Sequence, residues 1–140
     1  MNIKFDTQAL RNIVVFERIT GVEVRDCYID EDTAYFVVDS GKAGLAIGKN
    51  GKTINLVQES LNKNVKVYEF SNNIERFIKN IIPRGIKNIK IETTSNGNVV
   101  HLIIDKTKRN KVLGKKGINI LLLKRFLKRA FGIKDVIVEV

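Results

Sequence analysis

A single cysteine (Cys27), a single proline (Pro83) and a single histidine (His101) occur in 140 residues. One thiol can form no intramolecular disulfide and no cysteine-rich zinc site. The histidine lies in "VVHLII", an alternating stretch that marks it as a strand residue with a structural role, and no nucleophile-and-base pair is evident around it. With so little proline and 44% hydrophobic residues, the chain is globular and not disordered. Long apolar runs are missing too. Residues 13–16 and 120–123 are far shorter than the ~20 residues that a membrane-spanning helix needs. "MNIKFDTQAL" carries an acid at Asp6 and no continuous apolar stretch, so no signal peptide is expected there. These absences point to a cytoplasmic protein with no membrane partner, no cofactor, no metal and no catalytic residues. Its length suits one ordinary domain or two small ones.

Charge, by contrast, is abundant and uneven. Residues 1–70 hold 9 Lys/Arg against 10 Asp/Glu, while residues 71–140 hold 16 against 5. Nearly all of the net +10 therefore sits in the second half, as if a polyanion approached that side. A lysine-rich solvated surface is the plainer account of the same numbers.

The halves are also copies of each other. A shift of 66 positions lays Val37-Val38-Asp39 on Ile103-Ile104-Asp105 and Ile47-Gly48-Lys49 on Leu113-Gly114-Lys115. It lays Gly51 on Gly117, Ile54 on Ile120, Leu61 on Leu127 and Val67 on Ile133, with no gap. Two units are expected, residues 1–70 and 71–140.

Each unit reads as α-β-β-α-α-β. In the first, "DTQALRNIVVFERIT" carries Leu10, Ile13, Val14 and Phe16 at helical spacing, and Gly21 is placed to end that helix. "VEVRDCYI" and "TAYFVVD" are strands joined by an acidic turn, a short helix leads to Gly48, a longer one begins near Lys52, and "NVKVYEF" is a strand. In the second, Ser71 is a candidate N-cap, Pro83 stops the helix, and Asn96-Gly97 marks a hairpin turn. Only "SNN" joins the units, with no flexible linker composition, so they are expected to pack as one rigid block.

"AIGKNGKT", residues 46–53, raises the functional question. It loosely fits the phosphate loop of a nucleotide hydrolase, but that loop follows a buried parallel strand in a large α/β sheet. Here a short helix precedes it, the first position is Ala46, and the second copy reads Gly117-Ile118-Asn119, without the lysine and hydroxyl. The alternative is Gly48-Lys49-Asn50-Gly51 between two helices. Glycines accept positive φ and let another chain approach, and a helix start offers unpaired N–H groups and partial positive charge to phosphate.

"AIGKNGKTI" and "VLGKKGINI" share this pattern, and here the sequence resembles the KH family, whose Gly-x-x-Gly loop clamps the backbone of about four nucleotides. The element order resembles the type II (prokaryotic) arrangement. The resemblance implies an α+β fold of two tandem type II KH domains. "LAIGKNGKTINLVQESLNKNVKVYEF" looks like the KH segments of NusA transcription factors, and the tandem pair resembles the compact archaeal NusA-like family. Such a protein would bind single-stranded RNA and act in transcription elongation, termination or antitermination. The chain departs from the bacterial members in lacking an N-terminal polymerase-binding domain and an added β-barrel domain, so a contact with RNA polymerase does not carry over from those parts. A self-contained pair of units is expected to be a monomer.

Carried over by position, the clamp falls on Gly48, Lys49, Asn50, Gly51 and Lys52, and on Gly114, Lys115, Lys116 and Gly117. Bases would lie against aliphatic residues such as Ile47, Ile54, Leu113 and Ile120, most of which also serve a core. Lys106, Lys108, Arg109 and Lys111, just before the second loop, could track phosphates. Lys124, Arg125, Lys128 and Arg129 fit a solvated helix face equally well. Tyr28, Tyr35 and Phe36 belong to the hairpin, Cys27 packs as a small apolar residue, and Asp30, Glu31 and Asp32 form a turn. A rival reading keeps the fold but not the RNA: a scaffold in polymerase or ribosome assembly.

Overall fold

The structure is a computed structural model that describes residues 6–140. Residues 1–5, the beginning of the stretch expected not to be a signal peptide, lie outside the described residues. The architecture is α+β. Among the described residues, those from Asp6 to Ser71 and those from Asn72 to Val140 form two compact units, each with its own three-stranded sheet. No helix among the described residues is long and apolar enough to cross a membrane.

In the first unit, α1 spans Thr7–Thr20. Asp6 caps it by accepting from Ala9 N–H at 2.7 Å, and Gly21 closes it in the left-handed region, donating to Glu17 O at 2.9 Å. Its buried face is Ala9, Asn12, Phe16 and Thr20. Leu10 and Val14 point outward instead, because the buried stripe follows positions 9, 12, 13, 16 and 20. Two polar residues fit that stripe because the helix itself accepts their protons: Asn12 Nδ2 donates to Gln8 O at 2.7 Å and Thr20 Oγ1 to Phe16 O at 2.8 Å.

Strands β1 (Val24–Ile29) and β2 (Thr33–Val38) form an antiparallel hairpin. Asp30 Oδ1 accepts from the Asp32 and Thr33 amides, and Lys63 Nζ donates to the carbonyls of Asp30 and Glu31 at 2.7 and 2.8 Å. Helices α2 (Ala43–Ile47) and α3 (Lys52–Leu61) carry the chain over to β3 (Asn64–Glu69), which runs parallel to β2. Glu69 accepts from the Ala43 amide at 3.1 Å, tying the end of β3 to the start of α2. All six residues of the central strand β2 are buried. Ala34, Phe36 and Val38 meet Phe16, Val22, Cys27, Ala46, Val57 and Val65 in the core, with Phe36 stacked on Phe16 at 4.2 Å. On the opposite face Tyr35 lies between Tyr28 and Tyr68, at 6.2 and 6.5 Å. Burial, then Tyr35, pushes the Tyr68 hydroxyl up to about 12.

The second unit has the same plan: α4 (Ile74–Ile81), β4 (Ile86–Thr94), β5 (Gly97–Ile104), α5 (Arg109–Leu113), α6 (Ile118–Phe131) and β6 (Asp135–Glu139). β5 is central, antiparallel to β4 and parallel to β6. Phe77, Ile78, Val100, Leu102, Ile104, Val112, Leu122, Leu123, Phe126 and Leu127 are buried within it. Two sequence expectations shift here. Asn73, not Ser71, caps α4, accepting from Arg76 N–H at 3.0 Å. The hairpin turn is Ser95-Asn96, one residue before the expected pair, because Thr94 pairs with Gly97. The Thr94 hydroxyl, donating to Gly97 O at 2.6 Å and accepting from Asn96 N–H at 3.2 Å, holds that turn.

The repeat is also less regular than one shift suggests. Spacing of 66 holds from β2/β5 into α3/α6, but the strands before and after are displaced. Val24 opposite Val38 corresponds to Ile86 opposite Ile104, 62 residues on. Asn64 opposite Thr33 corresponds to Asp135 opposite Val99, 71 residues on. Val67 and Ile133 are therefore not equivalent: α3 has 10 residues and α6 has 14, so about one turn is inserted. Each hairpin carries a bulge at the same place, at Arg25 and Lys87. Arg25 bonds Asp39 at 2.9 Å and lies 3.9 Å over the Phe70 ring. Asp105, the counterpart of Asp39, is held below the usual carboxylate range by the Thr107 hydroxyl and amide, then by Lys87 and Lys108.

Candidate nucleic-acid interface

The two loops share one backbone conformation. Gly48 has φ 78° and ψ 170°, Asn50 φ 56° and ψ 26°, and Gly51 φ 73° and ψ 14°. In the second copy Gly114 has 74° and 172°, Lys116 56° and 26°, and Gly117 73° and 20°. The first glycine of each pair thus lies in a region that is essentially glycine-only.

The two glycines of each loop do different work. A Cβ on Gly48 would overlap Thr53 Oγ1 and lie 2.7 Å from Thr53 Cβ; one on Gly114 would lie 2.9 Å from Asn119 Cγ and 3.0 Å from Ile118 Cγ2. The first glycine therefore lets the chain seal against the next helix, and that side of it is not open to a ligand, contrary to the expectation for both glycines. The second is different. A Cβ on Gly51 would meet only Ile54 Cγ2 at 4.0 Å, and one on Gly117 would meet nothing within 4 Å.

Gly51 and Gly117 are the N-caps of α3 and α6, and neither helix start has a side-chain cap. The first-turn amides of both helices thus lack the usual side-chain acceptor, which leaves them for an anion. Each second glycine closes its loop by donating to the first glycine's carbonyl, at 3.1 Å in Gly51 and 3.0 Å in Gly117. Lys49, Asn50, Lys52, Lys115 and Lys116 are exposed around these amides.

The remaining site residues divide by copy. Lys106 and Lys108 lie in a 3-10 turn before α5, Arg109 and Lys111 on α5, and all four are exposed. No carboxylate lies within 4 Å of the charged groups of Lys106, Arg109, Lys111, Lys115 or Lys116 among the described residues. Ile47 is exposed, while Ile54, Leu113 and Ile120 are half-buried, Ile54 against the core of the first unit. On α6, Lys124 pairs with Asp135 at 3.5 Å, Lys128 is exposed, and Arg125 and Arg129 are half-buried. Cys27 and Phe36 are buried, and His101 bridges Glu92 and Glu139 across its sheet.

Sequence reasoning missed Thr53 and Asn119, which lie two residues after each loop. Asn119 Nδ2 donates to the carbonyls of Lys111 and Val112 at 3.3 Å, fastening the last turn of α5 to the first turn of α6. The available signal was that the 66-residue shift lays two short polar side chains on each other.

Against known proteins, the model of the KH domain matches residues 10–82, from α1 through the end of α4. The chain belongs to the KH-domain family. More narrowly, it is 32% identical over 137 residues to "Probable transcription termination protein NusA" of Methanococcus vannielii, covering 97% of this chain and 79% of that one. The protein of the same name from Halococcus morrhuae is 31% identical, with 97% and 98% covered. A solved structure, "Crystal structure of APE1850", superposes with a TM-score of 0.79 at 33% identity, covering 96% of this chain and all of that one.

Proposed function

We propose that this is a single-stranded RNA-binding protein of the NusA-like type, built from two tandem type II KH domains, residues 1–70 and 71–140. It binds and does not catalyse. The observation that carries this reading is the Gly-x-x-Gly loop, present twice in one backbone conformation, each time at an uncapped helix start ringed by exposed lysines. Phosphates of the strand sit against the first-turn amides, with Lys49 and Lys52 or Lys115 and Lys116 beside them, while Ile47, Ile54, Leu113 and Ile120 offer apolar surface to bases. Two loops on one chain strengthen each other, since the second meets its nucleotides at high effective concentration. The relatives' printed name, "Probable transcription termination protein NusA", supports placing this activity in transcription termination. Action on nascent RNA in elongation or antitermination, with RNA polymerase as the neighbouring partner, is part of the same proposal.

The test is a titration with single-stranded RNA. Lys115→Glu with Lys116→Glu should lower affinity by an order of magnitude or more while thermal unfolding stays cooperative. Unchanged affinity in that variant would instead support the scaffold role in polymerase or ribosome assembly.

A further inference from the structure

The two loops have one backbone and opposite surroundings. The 66-residue spacing, which holds through this region, matches Ser40, Gly41, Lys42, Ala43, Gly44 and Leu45 to Lys106, Thr107, Lys108, Arg109, Asn110 and Lys111. The first segment holds one cation and the second holds four. Leu45, at the position of Lys111, is 58% exposed, and Ile47, two residues on, is 41% exposed, whereas the counterpart of Ile47, Leu113, is half-buried. Within the loops, Asn50 stands where the second copy has Lys116. An exposed leucine and isoleucine next to a phosphate clamp gain nothing from the phosphate. They do gain from the face of a base.

We infer that the two loops divide the labour on one RNA strand: the second supplies the salt-sensitive grip on phosphates through Lys106, Arg109, Lys111 and Lys116, and the first supplies salt-insensitive apolar contact with bases through Leu45 and Ile47. The inference rests on the RNA-binding reading and deepens it. Lys108, exposed in the same segment, adds to this grip. Backbone amides and Lys49 and Lys52 still anchor the strand at the first loop, where few cations remain to make its binding steeply salt-dependent. Sequence preference should therefore reside mainly in the first copy, because phosphates carry no sequence information and base contacts do.

The experiment measures affinity for a random-sequence single-stranded RNA across a series of salt concentrations, for the full chain and two variants. Replacing Lys106, Arg109 and Lys111 with Gln should flatten the plot of log affinity against log salt by about 2, since each phosphate neutralised on a single strand contributes ~0.7 to the slope. Between about 50 and 200 mM salt the parent should then lose roughly 16-fold more affinity than the variant. Replacing Leu45 and Ile47 with Ser should weaken binding several-fold at every salt concentration and leave the slope unchanged. All five side chains are exposed, so folding is preserved, and a Lys106→Arg, Lys111→Arg variant that keeps the slope serves as the charge control. An unchanged slope in the first variant, or an altered slope or undiminished affinity in the second, overturns the division of labour while RNA binding stands. If the parent chain itself does not bind the RNA, the underlying reading falls and the inference with it.

Discussion

Asn50 and Lys116 adopt the same left-handed backbone, φ 56° and ψ 26°, at the third position of their loops. Asparagine tolerates that conformation, while for other L-residues it costs roughly 1–2 kcal/mol. The second loop therefore accepts strain to hold a cation where the first holds an amide. Lys116→Asn should raise the stability of the chain to urea by about 0.5–1 kcal/mol, as the strain is relieved, and lower its affinity for single-stranded RNA severalfold. A stabilised variant with full affinity would show that the lysine is not there for the ligand.

The glycines make a second, ordered prediction. Gly48→Ala and Gly114→Ala combine a glycine-only conformation with overlap against Thr53 or Asn119, so each should cost more than the ~1–3 kcal/mol of backbone strain alone. Gly51→Ala and Gly117→Ala meet open space and should cost only about 1–2 kcal/mol of left-handed strain. Chemical unfolding of the four variants gives the order directly. RNA affinity should follow the reverse logic: on the proposed reading Gly117→Ala adds a methyl group to the face where the strand would lie, so its loss of binding should exceed its loss of stability.

The contrast between those glycines shows where the sequence stops being legible. Spacing alone exposed the loop, its lysines and its place between two helices, because these are local properties. It could not show that Gly48 seals against Thr53 and Gly51 does not, since that depends on how the chain folds back. The α-β-β-α-α-β order was readable for the same local reasons, as was the role of Gly21. The inserted turn in α6 was hidden because a whole turn preserves the apolar period, so Leu61 still matched Leu127 before the register slipped. Leu10 and Val14 misled because an exposed aliphatic on a helix looks like a buried one until the neighbouring stripe through Phe16 is seen to pack. Asn73 and Ser71 are both good caps by type, and only the Arg76 amide distinguishes them.

Asn119 is a positioning residue for the second loop. Its amide satisfies two carbonyls at the end of α5, groups that a helix terminus leaves without partners. Asn119→Ala should cost about 1 kcal/mol of stability and loosen the basic segment relative to the loop, weakening RNA binding further than that stability loss explains. Asn119→Asp keeps the size but replaces the donor with an acceptor, and it should do worse than alanine. Equal effects of the two variants would argue that only packing matters there.

His101 provides the pH dependence. Its Nε2 lies 2.9 Å from Glu92 Oε1 on β4 and its Nδ1 3.0 Å from Glu139 Oε1 on β6, so one ring ties all three strands of the second sheet. A neutral imidazole has one N–H and can satisfy one carboxylate, whereas the imidazolium satisfies both. The hydrogen bond with Glu92, then that with Glu139, accordingly raises its pKa above 6.5. A raised folded-state value means the contribution is complete below pH 6.5 and fades as pH climbs through the folded value. The urea midpoint of the parent chain minus that of His101→Gln should thus be largest in mild acid and shrink on the alkaline side. Amide exchange along β6 should report the same trend, because losing one bridge frees the last strand to fray. A difference between parent and variant that stays flat across that range would mean the two carboxylates do not hold the ring in solution.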